Sequence, residues 1–251
     1  MDIQFIRHAT LVVNMKGIRF LVDPMLSEQG TMEASPNTEP ILKNPIVGLP
    51  DDIELDRLVT VDAVLLTHTH RDHWDDAAIH LLSANHPIIC QVEDLEKIKA
   101  SGFVNVIAVH DKLSWNGIEI TRTGARHGFG QIGEKMGPVS GFFLETVNEP
   151  SLYITGDTVW CKEVEDVCYA QPDVIVAFAG GAQFTTGGPI TMTAEDIYLM
   201  SVATPKSKIV AVHMEAWNHC HVLREDLRSY LVNQKIVSQV IIPQDGESMQ
   251  F

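Results

Sequence analysis

The apolar run "DAVLLT", residues 62–67, leads straight into "HTHRDH", residues 68–73, which places three histidines and an aspartate within six positions. The flanks limit what this can be. The run before it has the length and composition of a buried strand, and "DDAAIHLLSAN" after it has helical spacing. On an extended segment alternate residues face one side, so His68 and His70 can grip one ion together. Asp72 and His73, adjacent at the turn into the helix, can point to a second ion beside it. Imidazole and carboxylate are the ligands expected for Zn2+, Mn2+ or Fe2+. At this histidine and aspartate content the pattern arises by chance in about one of several hundred such chains, so a solvated histidine loop accounts for it poorly. The C-terminal end of an apolar strand is also where open α/β sheets place their sites.

With 251 residues, 45% of them hydrophobic, the chain is long enough for one large domain with a sizeable core. Its formal net charge of −15 argues against a nucleic-acid partner, because phosphate backbones are held by clustered Lys and Arg. An anionic small molecule stays compatible, since a bound metal dominates its local field. No apolar stretch approaches the roughly 20 residues needed to span a bilayer, and "MDIQFIRHATLVV" shows no basic leader before a long apolar run. Cys90, Cys161, Cys168 and Cys220 form no CxxC pair, a usage that fits a reducing compartment. The expectation is a cytoplasmic protein that acts on a small-molecule substrate, with no membrane and no nucleic-acid partner, and with homo-oligomer formation open.

The first segment, "IQFIRHATLVVNMKGIRFLVDP", reads as strands with a hairpin at Asn14–Gly17. Between Pro24 and Pro50 five prolines break any periodicity, so 24–50 reads as a long loop insertion, either a wall over a site or a surface excursion. Beyond it, "PIICQ" and "NVIAV" read as strands around the helix "VEDLEKIKASG", and "KLSWNGIEITRTGARH" as two strands about an Asn116–Gly117 turn. "GFFLET" and "SLYITGDT" form a further strand pair. "DVIVAFA", "KIVAVHM" and "VSQVIIP" are strands alternating with the helices "TAEDIYLMSVA" and "LREDLRSYLVNQ", and "VSQVIIP" closes the chain. Thr193 and Asp196 are spaced as a capping box. No composition break appears, so residues 1–251 read as a single α/β domain.

"THTHRDH" resembles the signature of the metallo-β-lactamase fold superfamily. That resemblance implies a four-layer αββα sandwich with one or two metals at the sheet edge. The family supplies further ligands in a fixed order, a histidine, a bridging aspartate and a last histidine. "TRTGARHG" ends a strand at His127, "LYITGDT" at Asp157 and "IVAVHM" at His213. The opening "RHATLVV…GIRFLVDP", with "TGDT" and "TMTAED", is similar to the branch that includes the L-ascorbate-6-phosphate lactonases. By resemblance His68, His70 and His127 hold one divalent ion, Asp72, His73 and His213 a second, and Asp157 bridges them, with Zn2+ expected first and Mn2+ or Fe2+ accepted. Two divalent cations against two carboxylates and a bridging hydroxide leave a net positive centre, which lowers the pKa of water toward ~7 and polarises an electrophile. The implied function is a metal-dependent hydrolase that directs this hydroxide at a small, anionic ester or lactone, with Asp72 and Asp157 catalytic. The rival functions are a phosphodiesterase on a small nucleotide or lipid-type substrate and an iron-dependent oxidoreductase of the same fold.

His8, Asn218 and His219 are candidate substrate contacts, His8 because relatives carry a histidine between the first two strands, the other two because they lie just past His213. His80, His86, His110 and His221 have no motif around them and read as surface or structural. Cys220 reads as a buried apolar residue. The glycine-rich "FAGGAQFTTGGP" lacks a following GK[ST], so it is not a phosphate loop, but it can shape a cavity wall. Trp74 reads as a packing residue or a cavity wall.

Overall fold

The structure, a computed structural model, describes residues 1–251 throughout. The chain opens with β1 (Asp2–Arg7), β2 (Thr10–Met15) and β3 (Ile18–Val22). Lys16 and Gly17 both take positive φ in the reversal between β2 and β3, the backbone a two-residue hairpin needs. There follow α1 (Leu55–Leu58), β4 (Ala63–Leu66), α2 (Asp76–Leu81), β5 (Ile88–Gln91), a 3-10 turn at Val92–Asp94, α3 (Leu95–Ala100) and β6 (Val106–Val109). The second half holds β7 (Lys112–Trp115), β8 (Ile118–Gly124), α4 (Gly130–Met136), β9 (Ser140–Glu145), β10 (Leu152–Ile154) and α5 (Lys162–Tyr169). It ends with β11 (Val174–Phe178), α6 (Ala194–Ala203), β12 (Lys208–Val212), α7 (Arg224–Gln234), β13 (Val240–Ile241) and β14 (Ser248–Gln250).

These strands form two seven-stranded sheets, ordered β14-β1-β2-β3-β4-β5-β6 and β13-β12-β11-β10-β9-β8-β7. Each is antiparallel on one side and parallel on the other, with the change at β3 in the first and at β10 in the second. β4 and β11 are apolar at every position because both of their faces are covered. In β4, Ala63 and Leu65 point into the inter-sheet core while Val64 and Leu66 point outward beneath α2 and α3. In β11, Val174, Val176 and Phe178 point inward, and Ile175 and Ala177 face α5, α6 and α7. The layers are therefore helix, sheet, sheet, helix. No helix is long and apolar enough to cross a membrane.

The expected capping box is present at α6, where Thr193 Oγ1 accepts from the Asp196 amide and Asp196 accepts from the Thr193 amide. One expectation changes, and two helices are unanticipated. "VSQVIIP" does not close the chain as one strand: only Val240 and Ile241 pair with β12, Pro243 offers no amide, and the chain crosses back to lay β14 beside β1. The helices α4 and α5 have weak sequence signals. α4 buries none of its residues and contains two glycines, and α5 rests on its sheet through little more than Val164 and Cys168.

Residues 24–50 have only a single bridge, Met32 to Asn44, yet are held at many points. The fully buried Arg7 donates to the carbonyls of Met25, Ser27 and Val47. The Ser27 amide donates to Asp75, the N-cap of α2, and Met25, Leu26 and Met32 are buried. The segment lies against the end of the sandwich where β4, β8, β10 and β12 terminate.

Phe142 in β9 has no exposed surface and belongs to the inter-sheet core. Phe142→Ala should therefore destabilise the protein by about 3–5 kcal/mol, read from the shift of the urea unfolding midpoint. A loss under about 1 kcal/mol would contradict its place between the sheets.

Candidate metal centre

Five chain segments deliver ligand-type side chains to one edge of the sandwich. The segment after β4 brings His68, His70, Asp72 and His73, and the ends of β8, β10 and β12 bring His127, Asp157 and His213. The β1–β2 turn adds His8. Their ligand atoms gather in three overlapping groups: His68, His70 and His127; His68, His73 and Asp157; and His8, Asp72, His73 and His213. Within each group the atoms lie within 4.8 Å of one another. Asp157 stands between the groups. Its Oδ2 is 3.3 Å from His127 Nε2, 3.3 Å from His73 Nε2 and 3.9 Å from His68 Nε2, and its Oδ1 is 3.1 Å from His213 Nε2.

The rings are aimed by partners on their far sides. His127 Nδ1 donates to the Ile190 carbonyl at 2.8 Å. His73 Nδ1 donates to Asp23 Oδ2 at 2.9 Å, and Asp23 also accepts from the amide and hydroxyl of Thr67. With its own proton given to Asp23, the Thr67 hydroxyl accepts from His68 Nδ1 at 3.1 Å. A proton on Nδ1 leaves the Nε2 of a neutral ring as a lone pair facing the same space, as at His68 and His127 and at His73 once an ion replaces its second proton, the arrangement of metal-ligating histidines backed by a carboxylate or carbonyl. Gly180 allows the closest approach, since a Cβ there would sit 2.1 Å from the His213 carbonyl. His8, Asp23 and His213 all take positive φ, a strained backbone for non-glycine residues that recurs at functional sites.

The electrostatics ask for a cation. Burial alone would raise the carboxyl pKa of Asp72 and Asp157, yet the surrounding imidazoles hold both well below the usual range. Burial opposes a charge on His73, but Asp157 and Asp72 override it and raise its pKa well above the ordinary value. Burial leads the depression of His68, of His127 to about 4 and of His8 to about 3. So burial disfavours a charge on His8, His68 and His127 beside two carboxylates held ionised, and His73 is driven to supply the missing positive charge. His68 Nε2, His127 Nε2 and Asp157 Oδ1 are sealed from solvent without a hydrogen-bond partner. His73 and His213 bring their Nε2 atoms to 3.2 Å of each other. Orphaned lone pairs and facing ring nitrogens fit divalent ions bound among them.

A cavity of about 400 Å³ opens over this cluster. Asp72, His70, His127 and Asp157 form its floor, Ala34, Pro36, Met136, Phe184 and Trp217 its apolar walls, and Arg71, Lys97 and Glu33, the last paired with Lys43, stand at its rim. The 24–50 segment thus contributes a wall, and the glycine-rich segment contributes Phe184. His219 lines the cavity. His8 and Asn218 do not. His8 has no exposed surface, and its Nε2 lies 3.2 Å from Asp72 Oδ2, so it faces the candidate ligand Asp72 and not the cavity. Asn218 spends its amide on the 24–50 segment, accepting from Asn44 and the Ser35 amide and donating to Thr38 and Pro40. Trp74 packs on Phe103 outside the cavity. Sequence reasoning missed Asp23, whose "VDP" context looks like an ordinary strand end, and the Ile190 carbonyl, which carries no side-chain signal.

Residues 18–214 match the family described as the beta-lactamase superfamily domain. The chain is 41% identical to UPF0173 protein YddR of Bacillus subtilis over 255 aligned positions, covering the whole of both chains. Among solved structures, it is similar to an isothiocyanate hydrolase from Delia radicum gut bacteria, with a TM-score of 0.95, 37% identity, and coverage of 100% of this chain and 99% of the other. It is also similar to a possible metal-dependent hydrolase from Veillonella parvula, with a TM-score of 0.96, 35% identity and the same coverage.

Asp23→Asn keeps an acceptor for the Thr67 amide but weakens the hold on His73. It should lower zinc affinity by about 10–100-fold, measured by competition with a chromophoric chelator, with the far-UV circular dichroism unchanged. An affinity equal to wild type would remove Asp23 from the metal-supporting network.

Proposed function

The chain belongs to the beta-lactamase superfamily and, within it, to the UPF0173 family, and on that premise we propose that it is a metal-dependent hydrolase of a small molecule whose electrophilic carbon lies beside an apolar group. The observation that carries this reading is the convergence of unpartnered imidazole and carboxylate atoms at the floor of a small cavity with apolar walls. His68, His70 and His127 would hold one ion, Asp72, His73 and His213 the other, and Asp157 would reach both. Zinc fits this ligand set, which also accepts manganese or iron. When bound, the ions supply a nucleophilic water at neutral pH and polarise the electrophile.

The remaining work belongs to the protein. Asp72 and Asp157 accept the protons of the attacking water and so orient it toward the cavity. His8 holds Asp72 in place through the 3.2 Å contact to its Oδ2. Phe184, Trp217 and Met136 receive the apolar group and keep bulk water from the reacting carbon. At about 400 Å³ the cavity lies toward the lower end of ordinary ligand sites, which favours a compact substrate.

Likeness across the whole chain to an isothiocyanate hydrolase supports an R–N=C=S substrate. Water would add to the central carbon, and the adduct would break into an amine and carbonyl sulfide, so that RNCS and H2O become RNH2 and COS. An ester or lactone is the second reading, and the cavity rim favours one with an anionic tail. Lys97 donates to the carbonyl and hydroxyl of Thr69, leaving one ammonium proton for a ligand, and Arg71 stands beside it.

Zinc- or manganese-loaded protein should hydrolyse benzyl isothiocyanate, p-nitrophenyl acetate or a γ-lactone faster than bis-p-nitrophenyl phosphate. Chelation should abolish the activity and added metal restore it. His68→Ala and Asp157→Ala should each lose more than about 100-fold, the upper end of what an outer hydrogen-bond partner costs a metal site. Full activity in either folded variant would sink the reading.

A further inference from the structure

The wall of the cavity carries a histidine outside the ligand groups. His219 is 5% exposed and lines the cavity together with Asp72, His127 and Asp157. Its carbonyl accepts from the Gln183 amide at 2.9 Å, and its ring stands edge-on to Phe184 with centroids 6.0 Å apart. The backbone is therefore anchored and the ring is packed on one side by Phe184. Nε2 has no partner in the protein and is not among the polar atoms sealed from solvent, so it opens to the cavity. Nδ1 faces Cys220 Sγ at 3.8 Å, and the same sulfur lies 3.7 Å from His213 Nδ1.

This row of three groups has one consistent arrangement of protons. His213 turns Nε2 toward Asp157 and His73, so as a ligand it keeps its proton on Nδ1 and donates it to the sulfur. The sulfur, having accepted, has its own S–H to give, and His219 Nδ1 is the acceptor within reach. A neutral His219 that accepts at Nδ1 carries its proton on Nε2, where the cavity is. Burial keeps the ring neutral, with its pKa lowered to about 4 against the partial opposition of Asp72 and Asp157.

We propose that His219 is a catalytic hydrogen-bond donor whose Nε2–H, set by the Cys220 thiol, meets the heteroatom on which negative charge gathers as water attacks. The proposal rests on the hydrolase reading above. A neutral donor fixed in place needs no reorganisation as charge develops, and it adds no positive charge to compete with the metal ions. Cys220 is then a positioning residue that carries the proton pattern of a metal ligand over to the substrate side.

The first test needs no substrate. Long-range 1H–15N spectra of zinc-loaded protein with labelled histidine report which ring nitrogen of His219 holds the proton. The expected result is Nε2 in the wild type and a mixture in Cys220→Val. In parallel, kinetics with benzyl isothiocyanate and p-nitrophenyl acetate should show His219→Ala lowering kcat by about 10²–10³-fold, with KM within about threefold and metal content unchanged. His219→Gln, which keeps an N–H donor, should recover part of the loss. An Nδ1-protonated His219, or wild-type kcat in His219→Ala, overturns the proposal. A wild type that binds metal but turns over neither substrate fails the hydrolase reading instead, and the tautomer spectrum then decides the His219 arrangement by itself.

Discussion

Asp23 accepts three hydrogen bonds at the end of β3, from the amide and hydroxyl of Thr67 and from His73 Nδ1, and has no exposed surface. Through them one carboxylate orients two imidazoles. It holds His73 directly and His68 through the Thr67 hydroxyl, so the first and last histidines of the "HTHRDH" segment are set by a residue from the neighbouring strand. Burial pushes the Asp23 pKa up, and the hydrogen bonds from His73 and Thr67 work against that rise. Such a group is costly to bury unless each oxygen is satisfied, and here each one is. The positive φ of Asp23 is part of the same arrangement, because it turns the carboxylate from strand direction toward β4.

The second sheet supplies the other half of the centre by the same logic. His127, Asp157 and His213 follow three strands that end at one edge, and the two sheets pack so that this edge meets the end of β4. The closest join is His8 with His213, where the His213 amide donates to the His8 carbonyl at 2.7 Å and the rings lie 3.8 Å apart. Positive φ at both residues costs on the order of 1–3 kcal/mol each, which the surrounding core has to outweigh. A wide, fully covered inter-sheet core provides the rigidity that holds ligand atoms within bonding reach of common points.

Much of this was legible in the sequence. Strands covered on both faces read as continuous apolar runs, which is why β4, β11 and β12 stand out; β4 ends two positions before His68 and β12 one position before His213. The layer order followed from the resemblance, since periodicity alone does not say which faces meet. What escaped notice acts through backbone or through another side chain. Asp23 supports a candidate ligand without being one, the Ile190 carbonyl has no residue signature, and the return of β14 to β1 depends on a crossover that a three-residue strand cannot announce. Asn218 and His8 were legible as residues near the site but not in their roles. Both lie close to His213 or Asp72, and only the packing of residues 24–50 shows Asn218 turned to that segment, as only burial shows His8 shut away from the cavity.

The central claim is that these side chains hold a dinuclear metal centre. It is tested most directly by elemental analysis of protein purified anaerobically without added metal, beside a His213→Ala variant. The account predicts about two zinc or manganese ions per chain in the wild type, falling toward about one in the variant. Protein that folds with no stoichiometric metal would contradict it.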